Sequence, residues 1–431
     1  MSRLIKKMGQ KPENILPERP AKLACPKLVV AHFMVGNTAP YTPSDWAEDI
    51  SLANKHGIDG FALNVGRENW QLSQVAACFD AAESSGTDFK LFLSFDMSSF
   101  PSSALGDIQN LKLGKALVST FAGENSLFGC SDIFSAWTLV KLSLEEVVPW
   151  NAGWSIHLTP LSPPHEIHCP KLQSDGEYLK HLVGKTYMTS VSPWFFTHYG
   201  EESWNKNWIY RGDDWLFVRR WEQLIAMRDQ VDIVQVISWN DFGESHYIGP
   251  IKGAQPNSEA WVNGFDHTAW LQLCGYFART FKVGPQTMHS SAVQMFLPVE
   301  EDRIYVWARP HPKDAIALDD VVGKPRGWEL TDDIFWVVIF ASGPASVFLW
   351  SSDEAGTTTT PAIGDNTTST EQPISAGPSK LSCALIKGGG MHVRLVRAGK
   401  VVIDFHPPDF VFRAVPQTYN FNAFVAVWPP A

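Results

Sequence analysis

The sequence predicts an α/β fold, a (β/α)8 TIM-type barrel followed by an all-β, sandwich-like domain, and three observations carry that prediction. Through the first two thirds of the chain, short apolar runs rich in β-branched and aromatic residues alternate with amphipathic helical segments at a spacing of roughly 30 residues, the pattern of parallel βαβ units. After about residue 285 the helical period disappears, and short strands separated by turns take over. The length, 431 residues, suits one barrel of ~250 residues with a smaller module behind it. The chain accordingly divides into an N-terminal extension (1–27), a barrel (28–284) and a C-terminal β domain (285–431).

The barrel strands are read at 28–36 (LVVAHFMVG), 58–66 (IDGFALNVG), 89–97 (FKLFLSFDM), 116–121 (ALVSTF), 185–192 (KTYMTSVS) and 233–241 (IVQVISWND). Their apolar character is nearly continuous because a parallel strand is buried on both faces. Between them, residues 44–56 form a helix with Ser44 as its N-cap, and Trp46, Ile50 and Ala53 fall on one face. Residues 71–84 repeat the pattern with Leu72, Val75, Ala76 and Phe79. Six strands are fewer than eight. The interval 122–184 has room for two more βα units, the fifth and sixth strands, but reads as irregular and Pro-rich. In the β domain the strands are 302–308, 334–341, 345–350, 392–396 and 401–405, with a Thr/Ser/Pro-rich loop over 356–377.

Composition narrows the function classes. With 45% hydrophobic and 19% charged residues the chain can bury a large core. A net charge of -10 argues against nucleic acid or an acidic membrane surface as partner. No apolar stretch of ~18 residues reads as a membrane span. The N-terminal extension is basic and then polar, without the apolar centre of a secretion signal, so localisation stays open, and the sequon at Asn366 matters only if the chain is exported. Six scattered cysteines show no metal-ligand spacing, so no metal and no cofactor are expected. The chain is read as a monomer. Eighteen tryptophans are many; most fill cores, but Trp also makes flat platforms for sugar rings.

In a parallel barrel the reactive residues sit at the carboxyl ends of the strands. That places His32 and Asn37 at the end of the first strand, Asn64 at the second, Asp96 at the third and Glu124 past the fourth. The last strand runs into Trp239-Asn240-Asp241, followed by Gly243-Glu244-Ser245-His246-Tyr247. Two carboxylates leaving one strand among aromatics and amides are what glycoside hydrolysis uses, one to protonate the leaving oxygen and one to act on water or C1. Glu244 is assigned as general acid and Asp241 as the base that positions water. Trp194, Trp239 and Tyr247 are assigned as sugar platforms, and His32, Asn64, Asp96, Asn240 and His246 as partners for hydroxyls. Asp59 opens its strand and faces the opposite, structural end. No nucleophile elbow, Walker loop, HExxH or GxGxxG is present.

HFMVGNT (32–38), GIDGFALNVG (57–66), FLSFDMSSFP (92–101), VSTFAGE (118–124), SPWFFTHYG (192–200) and WNDFGESHYIGP (239–250) occur in one order. With WARPHPKDA (307–315) and YNFNAF (419–424), they make the chain resemble glycoside hydrolase family 71, the fungal α-1,3-glucanases or mutanases, over roughly residues 28–431. The resemblance implies a (β/α)8 barrel with a C-terminal β domain and an inverting endo-hydrolysis of the cell-wall polysaccharide α-1,3-glucan without metal. It maps the catalytic carboxylates onto Asp241 and Glu244 and adds Asp59 as an additional acid. Two departures stand out. The family's aromatic fifth strand and its sixth-strand motif are not found, which suggests a deletion of about 20–30 residues near Val148, and no signal peptide is read. A second reading is therefore a catalytically impaired glucan-binding protein with one side of its cleft unformed. A third is an α-glucan hydrolase of another linkage specificity.

Overall fold

A computed structural model describes residues 26–96, 150–168, 174–181, 186–287, 293–353 and 371–430. The expected strand at 116–121, Glu124, the junction near Val148, the Asn366 sequon and Cys25, Cys130 and Cys169 lie outside the described residues. The described cysteines, Cys78, Cys274 and Cys383, are all buried.

The N-terminal part is built on a parallel sheet of β1 (Leu28–Met34), β2 (Gly60–Val65), β3 (Lys90–Phe95), β4 (Met188–Val191) and, after a hairpin of β5 (Phe196–His198) and β6 (Asn207–Ile209), β7 (Ile233–Val236). Its order is β3-β2-β1-β7-β4, so the first strand pairs with the last. Helices α1 (Pro43–Lys55), α2 (Trp70–Ser84), α3 (Ser174–His181), α4 (Leu216–Ala226) and α5 (Thr268–Val283) accompany it. β3 and β4 are the sheet's edges among the described residues. Between 150 and 187 those residues hold a helical turn, a short helix at Pro164–His168 and α3, but no strand.

Local chemistry sets the helix boundaries. α1 begins one residue earlier than expected, because Pro43, which lacks an N–H, fits the first helical position. Thr42 rather than Ser44 is the N-cap. Its hydroxyl accepts from the Asp45 N–H at 3.4 Å, and the Asp45 carboxylate accepts from the Thr42 N–H at 2.8 Å, a complete capping box. Gly60 sits where any Cβ would collide with the Lys90 backbone, so β2 can lie against β3 only with glycine there.

The C-terminal part stacks two antiparallel sheets. One has the order β12 (Gly377–Ala384), β9 (Ile334–Ala341), β8 (Arg303–Ala308), β15 (Phe424–Trp428). The other has the order β11 (Gln372–Ile374), β10 (Ala345–Ser352), β13 (Gly390–Arg397), β14 (Lys400–Phe405). β11 forms inside the stretch expected to be loop. The first sheet is apolar on both faces. Ile304, Val306, Val337 and Ile339 point into the sandwich, while Tyr305, Trp307, Trp336, Val338 and Phe340 join the core of the parallel sheet's helices. Trp307 also donates its indole N–H to the Asp214 carbonyl, 3.2 Å away.

A buried ion pair holds α3 and α4 to β4. Arg220 donates to Asp175 at 2.9 Å, to the Thr189 hydroxyl at 2.7 Å and to the Ser190 carbonyl at 2.9 Å. The Tyr187 hydroxyl adds a bond to Asp175 at 2.7 Å. Burial opposes the Asp175 charge, but Arg220 and these donors outweigh it and hold the carboxyl below its usual range. Arg220→Met strands that carboxylate, so we expect a loss of about 3–5 kcal/mol in guanidinium unfolding. A loss below ~1 kcal/mol would show that the pair does not organise this corner.

Candidate active site

Chemistry-bearing groups converge where β7 ends. The strand ladder stops at Val236, and residues 238–248 fold into a closed loop instead of continuing to 241 as a strand. Ser238 closes it through its backbone: its N–H donates to the His246 carbonyl at 2.8 Å, and its carbonyl accepts from Ile248 at 2.9 Å. The Ser238 hydroxyl accepts from the Asp241 N–H at 2.8 Å and lies 3.0 Å from His246 Nδ1. Every group is satisfied when that hydroxyl donates to Nδ1, leaving Nε2–H to donate to Glu244 Oε2 at 3.1 Å. The Glu244 N–H in turn donates to Asp241 Oδ1 at 3.2 Å.

Asn240 pins this loop to β1. Its side chain accepts from Met34 N–H at 2.7 Å and donates to the Met34 carbonyl at 3.1 Å, while its own carbonyl accepts from Asn37 Nδ2 at 2.9 Å. Asn240 is therefore a structural latch with its amide already engaged, rather than a hydroxyl partner. On the other side the Phe196 N–H donates to the Glu244 carbonyl at 3.1 Å, and Lys206 at the end of the β5–β6 turn reaches Glu244 Oε1 at 3.4 Å.

Asp241 and Glu244 are mostly covered, with side-chain exposures of 16% and 18%. Burial and the neighbouring Glu244 charge push the Asp241 carboxyl up to about 6. Burial also works against ionised Glu244, but His246 and Lys206 outweigh it and keep its carboxyl below the usual value. Asp241 is thus the more readily protonated of the two carboxyls and Glu244 the more readily ionised, the opposite order to the roles assigned from sequence. His32 on β1 lies close enough to feel His246, Glu244 and Asp96; burial first, then His246, lowers its imidazole to about 3, so it stays neutral. Gln235 donates to its Nδ1 at 3.2 Å. Asn64 and Asp96 stand half-buried at the ends of β2 and β3. One ligand atom each from Asp241, Glu244 and His246 lies within 4.8 Å of the others, a separation that could also hold a cation.

The expected platforms are elsewhere. Trp194 is 1% exposed and donates to the Phe421 carbonyl at 2.9 Å. Trp239 is buried against Phe61 and hydrogen-bonded to Asp49 of α1, so it faces the helix layer. Tyr247 is buried between His267, the Phe265 carbonyl and Asn422. All three clamp the loop from behind and offer no face to a ligand. Asp59 lies at the amino end of β2, accepting from Val29 N–H at 2.8 Å and from Lys282 at 2.6 Å, which is a structural role away from the carboxylates.

The sequence reading missed Trp154 and Trp204. Trp154, in the stretch read as irregular, lies with Phe195 against His246 at ring distances of 5.5 and 5.9 Å. Trp204, 53% exposed, sits on the β5–β6 turn that carries Lys206. Its polar surroundings, Glu201-Glu202-Ser203 before and Asn205-Lys206 after, were the available signal that this Trp is not core.

Residues 25–431 match the family Glycosyl hydrolase family 71. The chain is 34% identical to the glucan endo-1,3-alpha-glucosidase agn1 of Schizosaccharomyces pombe, over 93% of this chain and 94% of that one. It is 30% identical to a mutanase of Penicillium rubens over 76% of each. Among solved structures, an endo-alpha-mannosidase from Bacteroides thetaiotaomicron superposes with a TM-score of 0.36 at 12% identity, over 59% of this chain and 97% of that one. The chain belongs to glycosyl hydrolase family 71. No helix among the described residues is long and apolar enough to cross a membrane.

A carboxyl whose folded value is raised costs stability once it ionises. Going up in pH from Asp241's unfolded value near 4 to its folded value of about 6, the native state holds the extra proton and stability falls; above that window the full penalty applies. Asp241→Asn removes it and keeps an acceptor for the Glu244 N–H. We expect about 1–3 kcal/mol of added stability at pH 7 that vanishes below pH ~4. Denaturant titrations at both pH values test this, and destabilisation at pH 7 would contradict it.

Proposed function

We propose that this family 71 chain hydrolyses α-1,3-glucan by an inverting endo reaction in which Asp241 is the general acid and Glu244 the base that activates water. The observation that carries the reading is the single loop that brings two mostly covered carboxyls together with His246 and Lys206, where burial and the Glu244 charge raise the Asp241 carboxyl while His246 and Lys206 lower that of Glu244. Relatives named glucan endo-1,3-alpha-glucosidase and mutanase supply the substrate class. We read the parallel sheet as part of a (β/α)8 barrel. The pairing of β1 with the last parallel strand, β7, supports that, since this contact is the one that closes such a barrel.

His32 within β1, which feels the Glu244 and Asp96 charges, and the half-buried Asn64 and Asp96 at the carboxyl ends of β2 and β3 are the remaining candidates for hydroxyl contacts. One oxygen of each carboxyl lies within 4.8 Å of the other's, whereas inversion leaves ~6.5–9.5 Å between the carboxyl groups for sugar and water. The reading therefore requires the Glu244 side chain to swing from His246 when a sugar enters. Its anchors allow that: one hydrogen bond to His246 and one long contact to a half-exposed lysine.

Asp241→Asn and Glu244→Gln should each lower kcat on α-1,3-glucan by roughly 10²–10⁴-fold. The wild-type rate should fall as pH rises through about 6, where Asp241 loses its proton, and again at low pH where Glu244 gains one. Chelators should leave it unchanged. The first product observed by NMR should be the β-anomer; an α-anomer overturns inversion, and undiminished release by both variants overturns the site. Binding of the polymer without release by the wild type is the result that favours the glucan-binding reading.

A further inference from the structure

The described tryptophans that remain most exposed are Trp70, 38%, and Trp204, 53%. Single exposed apolar residues are ordinary, but these two share a location. Trp70 begins α2, just after the chain leaves the carboxyl end of β2. Trp204 caps the hairpin that follows the carboxyl end of β4. Across the sheet the order is β2-β1-β7-β4, so the segments that carry the two tryptophans leave strands on either side of β1, with His32, and β7, with the Asp241–Glu244 loop. Three strand steps of ~4.8 Å separate their parent strands.

The hairpin is built to hold Trp204 still. Tyr199 stands edge-on against it, with ring centroids 4.5 Å apart and planes at 86°. The Tyr199 hydroxyl donates to the Pro256 carbonyl at 3.1 Å, and its ring packs on Trp261 at 4.8 Å. His198, one residue earlier, is fixed by Asn207 at 2.9 Å and by Asp320 of the long loop between β8 and β9. The same turn carries Lys206 to Glu244. A rigid turn that ends in an uncovered indole and touches a catalytic carboxylate is an odd use of Trp for solubility or packing. It suits an indole whose face is covered by a ligand.

We propose that Trp204 and Trp70 are the two aromatic ends of a polysaccharide track crossing the Asp241–Glu244 loop, so that a glucan chain is gripped on both sides of the bond to be broken. The occupant is an uncharged, internally bound sugar chain: indoles offer flat apolar faces to the C–H side of pyranose rings, and grip on both flanks selects interior bonds over chain ends. This rests on the reading of the chain as an α-1,3-glucan hydrolase.

The test is hydrolysis of α-1,3-glucan oligosaccharides of increasing length by wild type, Trp204→Ala, Trp70→Ala and the Phe and Leu variants at both positions. For the alanine variants we expect KM on long chains to rise roughly three- to tenfold, a penalty that shrinks as the substrate shortens, with kcat moving much less. Phe should restore most of the loss, and Leu, apolar but not flat, should not. These comparisons decide the matter even if an alanine variant folds poorly. A KM on long chains unmoved by either position, or a loss equal at every length, overturns the track while leaving the hydrolase reading intact. Absence of release by the wild type overturns that reading and the track with it.

Discussion

Everything at the candidate site depends on the closure of the 238–248 loop on Ser238 and its attachment to β1 through Asn240. Two carboxylates on a free loop would repel each other and sample water. Here the Ser238 backbone closes the ring, its hydroxyl holds both the Asp241 amide and the His246 imidazole, and Asn240 joins the loop to Met34 by two hydrogen bonds. The backbone approaches closely at two glycines. A Cβ at Gly243 would collide with the Tyr199 hydroxyl, and one at Gly249 would come 2.7 Å from the Trp239 indole. The loop is thus placed by main-chain geometry before any carboxylate chemistry is considered.

The charge arrangement follows from that placement. Covering both carboxyls in one small volume drives their pKa values apart, because ionising the second beside the first costs more. His246 decides which. Its Nε2 lies 3.1 Å from Glu244 but 3.8 Å from Asp241, and Lys206 adds its charge on the Glu244 side. The asymmetry costs the folded state something at neutral pH, as expected where function is held against stability. Trp154 and Phe195 back the imidazole, so the segment after residue 150, unlike a strand in its sequence pattern, contributes a wall of the site.

What was legible in the sequence was periodic or local. Continuous apolar runs located β1, β2, β3, β4 and β7, and the strand-end rule led to Asp241, Glu244 and His246. The errors share one cause. Trp239, Asn240 and Tyr247 stand beside the carboxylates in sequence and Trp194 just past the end of β4, but residues within tight turns point in different directions. Adjacency along the chain therefore says little about which side chain meets solvent. Trp239 points to α1, Trp194 and Tyr247 toward the C-terminal segment, and Asn240 into β1. The charge asymmetry was invisible for a different reason, since it depends on burial, on which carboxylate the His246 ring faces in the folded loop, and on Lys206, which is 38 residues from Glu244 along the chain.

The C-terminal segment shows how far the site's support extends. Residues 420–423 lie in the connection just before the last sandwich strand, β15, and they grip the N-terminal part at four points. Phe421 takes the Trp194 indole proton, and the Ala423 carbonyl meets His267 Nε2 at 3.0 Å. Asn422 bonds both the Tyr247 hydroxyl and the Trp261 carbonyl, and Asn420 bonds that carbonyl again. Tyr247 and Trp261 are in turn what the catalytic loop and the Trp204 hairpin rest on. Both faces of the first β sheet are apolar, one closing the sandwich and the other covering the helices α4 and α5. The β strands therefore keep a sandwich core of their own and at the same time complete the core of the N-terminal part. Removing them would uncover Trp194, Trp270 and Tyr247 together and release the loop that carries Asp241 and Glu244 from behind. That coupling gives a physical reason for the YNFNAF motif (419–424) to accompany WNDFGESH (239–246) far along the chain: one sequence makes the Asp241–Glu244 loop, and the other holds its back.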